Sequence, residues 1–103
     1  MAATATARLE VVGDHVVVIR AHGEFDLATS RTLGAALEDA GIGSRNVVLD
    51  LAGATFLDVH CLSLLLDAQR RLREAGRSVV VVNAPPIVQR LVEVLRIPDL
   101  IAM

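Results

Sequence analysis

Short apolar runs alternate with amphipathic stretches along almost the whole chain. Arg8-Leu-Glu-Val-Val12 reads as a first strand, Gly13-Asp14 as a turn pair and His15-Val-Val-Val-Ile-Arg-Ala-His22 as a second strand. The chain therefore opens on a hairpin, with residues 1–7 expected to be a flexible lead-in. Gly23-Glu-Phe-Asp26 closes the second strand, and a helix follows through about Ala40. Asp26, Thr29 and Ser30 are its candidate caps. Leu33, Ala36, Leu37 and Ala40 give it one apolar stripe, and Gly41 supplies a C-terminal stop.

The stretch from Val47 to Leu66 organises the rest. Val47-Val-Leu-Asp-Leu51 is a short apolar run, read as a buried strand. A small-residue loop is expected after it, and then Leu62, Leu65, Leu66 and Leu72 recur at helical spacing. Asp58 stands at the N-cap position, able to accept from backbone N–H groups two or three residues on. This helix is expected from Val59 to about Ala75, with Gly76 as its stop. Val59, His60 and Cys61 are expected at its exposed start, where function should sit. Ser78-Val-Val-Val-Val82 is a further strand, and Asn83-Ala-Pro-Pro86 leads into a third helix. The expected core face of that helix is Ile87, Leu91, Val94 and Leu95, and Asp99 to Met103 is read as a short edge strand.

The order β-β-α-β-α-β-α-β defines an α/β fold with parallel strands, right-handed crossovers and one antiparallel pair from the hairpin. A mixed sheet of four to five strands is expected, covered mainly on one side by three helices. At 103 residues the chain is read as one domain. It is 53% hydrophobic but has only two aromatic residues, so Val, Leu, Ile and Ala must build the core.

Composition then narrows the function. No apolar run approaches the roughly 20 residues of a membrane helix, and the first residues lack the basic start and apolar region of a signal peptide. A cytoplasmic protein is the expectation, and a single cysteine allows no internal disulfide. The formal net charge of -2 gives no general attraction to phosphate backbones, and no Trp or Tyr is present to stack on bases. Arg70, Arg71, Arg73 and Arg77 cluster beside Asp67 and Glu74 and read as a solvated helix face. One Cys and three scattered His match no zinc-ligand spacing. Cys61 follows His60 directly, and neighbouring helical side chains diverge by about 100°, so the two form no nucleophile–base pair, and Cys61 taken by itself reads as a small packed hydrophobe. No enzyme, metal or cofactor is expected.

Three segments carry a resemblance. Gly23-Glu-Phe-Asp-Leu-Ala-Thr29 is similar to the Gly-Glu-Leu-Asp segment of the STAS domain family, the bacterial anti-sigma factor antagonists. Val48-Leu-Asp-Leu51 followed by Thr55-Phe-Leu-Asp58 and Leu62 resembles that family's central strand and its Asp-Ser-Ser-Gly-Leu phosphorylation loop. Ile87-Val-Gln-Arg-Leu-Val-Glu93 resembles its third helix. The likeness spans a STAS-like domain over residues 8–103, in the element order given above.

The resemblance implies a regulator that binds an anti-sigma factor, usually a serine kinase, and so frees a sigma factor. Phosphorylation of the loop serine by that kinase would break the complex. A phosphate adds about -1.5 to -2 charges at pH 7. Against one carboxylate at about 4 Å, a unit charge costs roughly 4 kcal/mol at an effective dielectric of 20, on the order of a thousandfold in affinity. The implied partner-binding residues are Glu24, Asp26, Asp58, Val59, His60 and Cys61. The phosphoserine position falls on His60, the preceding serine on Val59 and the glycine on Cys61. Thr55 and Ser63 are the nearest hydroxyls. The second function the resemblance admits is a ligand-sensing or assembly module of a larger complex, stressosome-like or transporter-associated.

Overall fold

The computed structural model describes residues 5–41 and 45–94. Its elements are β1 Thr6–Val12, β2 Val16–Phe25, α1 Ser30–Gly41, β3 Asn46–Leu57, α2 Val59–Glu74, β4 Val79–Val82 and α3 Pro86–Val94. The strands form one mixed sheet in the order β1-β2-β3-β4. β1 runs antiparallel to β2, whereas β2–β3 and β3–β4 are parallel. This is the α/β architecture the pattern implied. The expected strand at 99–103 lies outside the described residues.

Because the strand order never reverses, right-handed crossovers carry successive helices to the same side of the sheet. Burial follows that rule. Val17, Ile19, Ala21 and Phe25 of β2, Val47, Leu49 and Leu51 of β3, and Val79 and Val81 of β4 are all buried. Leu33 and Leu37 of α1, and Leu62, Leu65 and Leu72 of α2, complete the same core. The opposite sheet face carries Val18, Arg20, Val48, Asp50 and Val80, half-buried or exposed. There Arg20 donates to Glu10 at 3.1 Å and to Asp50 at 2.9 Å, and Asn83 donates to Asp50 at 3.0 Å. The Asp50 carboxyl is held below its ordinary range, first by the Ala52 N–H and then by Asn83.

Several boundaries differ from the sequence reading, each for a physical reason. β1 begins at Thr6, paired with His22, and Ala5 is already buried, so ordered structure starts before Arg8. The small-residue loop expected after Leu51 is strand: β3 continues to Leu57, and β2 continues beside it to Phe25. Register shifts fall between Arg20 and His22 and between Gly23 and Glu24, each leaving an extra residue on β3. Buried positions on β3 therefore fall at 47, 49, 51, 54 and 57, a pattern whose period stretches from two to three. At the first bulge position 53 favours glycine, since any side chain there would force the exposed His22 ring to move. A Cβ there would run into the His22 imidazole and lie 3.1 Å from the Ala21 carbonyl.

The buried face of α3 is also corrected. Val88 and Val92 are buried with Leu91 packed partly against the core, whereas Ile87 and Val94 are exposed. Five apolar residues wrap more than one stripe of that helix, so periodicity alone could not choose which stripe meets the sheet. The arginine cluster divides too. Arg70 and Arg71 both pair with Asp67, while Arg77 donates to the carbonyls of Gly41 at 2.8 Å and Arg45 at 3.4 Å. Arg77 thus satisfies one backbone acceptor at the end of α1 and one just before β3.

Candidate functional site

The site lies where β2 and β3 end side by side. Phe25 and Leu57 are register partners, so Asp26 and Asp58 leave the sheet from neighbouring positions. The Asp58 N–H donates to the Phe25 carbonyl at 3.0 Å, tying the two strand ends together. Asp58 then starts α2. Its backbone is extended (φ -87°, ψ 175°), and its Oδ1 accepts from the Cys61 N–H at 3.0 Å. This is the N-cap geometry expected of an aspartate three residues before the first satisfied helical N–H.

Asp26 is held differently. Its Oδ1 accepts from the Thr29 N–H at 3.0 Å, and its own N–H donates to Thr29 Oγ1 at 2.9 Å. Thr29 Oγ1 also lies 2.8 Å from the Glu24 carbonyl and 3.0 Å from Asp26 Oδ1, so its one proton serves one acceptor at a time. The Thr29 hydroxyl, followed by the Thr29 N–H, lowers the Asp26 carboxyl below its ordinary range. Asp26 is consequently anionic at neutral pH.

Val59 and His60 are exposed, as expected, and Leu27 and Phe56 add exposed apolar surface to the same end of the sheet. Sequence reasoning missed Leu27 and Phe56 because each stands next to an acidic residue or inside an apparent loop. His60 borders an open groove of about 540 Å³ between α1 and α2, whose walls include Leu27, Arg31 and Leu64. Glu24 projects from β2 opposite Phe56.

Cys61 does not belong to this surface, which corrects the sequence expectation. It is fully buried, and its Sγ donates to the Phe25 carbonyl at 3.4 Å. Burial, with the Asp58 charge second, pushes the thiol from its ordinary 9.0 up to about 12. A neutral thiol in that position is a small core residue and a weak donor, not a nucleophile or redox sensor. The third residue of α2 points inward because the helix packs on its Cys61–Leu62–Leu65 stripe.

The hydroxyls nearest the loop are placed clearly. Ser63 donates back to the Val59 carbonyl at 3.2 Å, within the first turn of α2, and Thr55 is exposed on β3. Among the described residues no group of three His, Cys, Asp or Glu is placed to hold a metal ion, and no helix is long and apolar enough to cross a membrane.

The cap can be tested directly. Asp58→Ala should lower stability by about 1 kcal/mol in urea unfolding, whereas Asp58→Asn should retain most of it, since asparagine caps nearly as well. Equal losses in both variants would show that the charge, rather than the cap, is what α2 needs.

A four-stranded mixed sheet with its helices on one face, and a helix start set between two paired strand ends, defines a STAS domain. The family model described as the Mlab STAS domain matches residues 9–102, and the chain belongs to the STAS family. Solved structures agree. An anti-sigma factor antagonist from Mycobacterium paratuberculosis is 25% identical, with a TM-score of 0.81 over 93% of this chain and 83% of that one. The phosphorylated form of SpoIIAA, the Bacillus cell fate determinant, is 21% identical, with a TM-score of 0.78 over 94% of this chain and 89% of that one. The murine Solute Carrier 26 family member A9 anion transporter is 13% identical, with a TM-score of 0.69 over 95% of this chain but 20% of that one.

Proposed function

We propose that this STAS domain is a cytoplasmic, non-catalytic regulator that docks an anti-sigma factor of the serine-kinase type and so relieves inhibition of a sigma factor. The observation that carries the reading is the pole at the ends of β2 and β3. It sets the Asp26 and Asp58 carboxylates beside exposed Val59 and His60, on the positions that resemble the family's phosphorylation loop. Glu24 extends that surface, and Cys61 supports it from beneath.

The same surface lacks the serine switch. Phosphoryl transfer needs a hydroxyl held in line with the γ-phosphate, and His60 presents an imidazole there instead. Nor does a histidine supply the negative charge of a phosphoserine. The expected protein is an antagonist whose binding the kinase does not turn off. A second reading, an assembly subunit of a larger complex, is favoured by this same missing phosphoacceptor.

The two are separated by incubating the protein and a His60→Ser variant with candidate anti-sigma kinases and ATP, mapping phosphate by mass spectrometry and measuring binding. Wild type should bind and stay unmodified, while the variant should acquire phosphate and release the kinase. Stoichiometric phosphate on Thr55 or Ser63 of the wild type, with loss of binding, would show that the switch has moved. Affinity purification from its own cells that recovers only a transporter or scaffold complex, with no anti-sigma factor, would favour the assembly reading.

A further inference from the structure

β1 is an edge strand with no neighbour on its outer side among the described residues. Seven residues long, it contains no proline and no lysine, and its pairing with β2 runs without a register shift. Apart from the charges of Arg8 and Glu10, it therefore lacks the usual devices that keep an edge from pairing with another chain. Leu9 is 40% exposed and Val11 57%, both on the helix-bearing face, where they flank a small hollow beside Val17 and Ala40.

The charges on β1 are incomplete within one molecule. Arg8 stands directly across from Arg20, a like-charge pair that disfavours the local sheet. Among the described residues Arg8 has no carboxylate within ion-pair distance. Glu10 uses one oxygen, Oε2, on Arg20.

We infer that β1 pairs antiparallel with β1 of a second copy, about a two-fold axis through Leu9. In that register Leu9 faces its own counterpart, Ala7 faces Val11, and each Arg8 faces the other copy's Glu10. Residues of like parity meet, so helix-side side chains stay on the helix side and backbone donors face acceptors. Shifting the pairing by two residues in either direction sets Arg8 against Arg8 or Glu10 against Glu10. Charge thus selects a single register. Counting the described residues, the product is an eight-stranded sheet with its six helices on one face. On its open face an ionic row runs from Asp50 through Arg20 and Glu10 to the partner's Arg8. The two docking poles point in opposite directions and both stay clear of the new interface.

Sedimentation velocity across the micromolar-to-millimolar range tests this with charge variants on an exposed strand. Wild type should reach twice the monomer mass. Arg8→Glu or Glu10→Arg alone places like charges opposite each other twice, and each should weaken dimerisation on the order of tenfold to a hundredfold. An equimolar mixture of the two variants restores both opposite-charge pairs, so it should form a heterodimer that neither forms alone. In a complementary test, Leu9→Cys should cross-link symmetrically under oxidation while Thr6→Cys, which faces Val12, should not. A wild type monomeric throughout the range would overturn the inference. So would a dimer indifferent to both charge reversals.

Discussion

A Phe25→Ala variant is expected to lose about 3–5 kcal/mol of folding stability, the range for truncating a fully buried phenylalanine. Phe25 has no exposed surface, and it closes β2 at the point where β3 also ends. Its ring fills a core otherwise made of aliphatic side chains, since the chain has only one other aromatic residue and that one is exposed. Its carbonyl accepts from both the Asp58 N–H and Cys61 Sγ. A cavity here would therefore loosen the strand ends that set the first turn of α2. A small domain has roughly 5–15 kcal/mol of stability in total, so the variant should unfold at markedly lower urea. Phe25→Leu, which conserves most of the volume, should cost less than about 1.5 kcal/mol. A loss below about 1 kcal/mol for the alanine variant would mean that the site collapses around the missing ring.

The second large effect is a dependence on alkaline pH carried by Cys61. In the folded protein its thiol is pushed up to about 12, while in the unfolded chain it ionises near 9.0. Above pH 9 the unfolded state therefore binds fewer protons than the native one, and stability falls as pH rises. The contribution is fully present below pH 9 and is lost progressively as pH climbs toward 12. Between pH 8 and 10.5 the loss should amount to about 2 kcal/mol. The composition makes the measurement unusually clean. The chain has no Tyr, its ten basic side chains are all Arg, and Cys61 is its one cysteine. Urea unfolding of wild type and Cys61→Ala at both pH values isolates the effect, which should vanish in the variant. Equal alkaline losses in the two proteins would show that Cys61 is not its source. Native Cys61 should likewise resist thiol reagents until the protein unfolds.

Much of the site was legible in the sequence for local reasons. Asp58 precedes an apolar repeat at the spacing a cap requires, and capping depends only on residues three positions apart. Asp26 and Thr29 close their turn across the same short span. Val59 and His60 could be placed at a helix start by the same rule. Which side chains of that first turn face outward was another matter. Cys61 is adjacent to His60, yet one is core and the other surface, because the face of α2 that meets the sheet is set by Leu62, Leu65 and Leu72 farther along the helix.

The sequence by itself determined the element types, the hairpin, the α/β order and the helix stops, because periodicity, caps and glycines act within a few residues of one another. The tertiary structure decided what depends on a neighbouring strand or face. β3 continues through Ala52-Gly-Ala-Thr-Phe56 because β2 is there to pair with it, and two bulges absorb the extra residues that broke the period. α3 buries Val88 and Val92 rather than Ile87 and Val94 because only contact with the sheet can choose among several apolar stripes. Arg77 leaves the surface cluster because the end of α1 lies within reach of its guanidinium. Among the described residues Arg8 has no carboxylate partner, because the strand that β1 joins places Arg20 beside it. Pairing, burial and charge neighbours are long-range properties, and they became definite only when the strands came together.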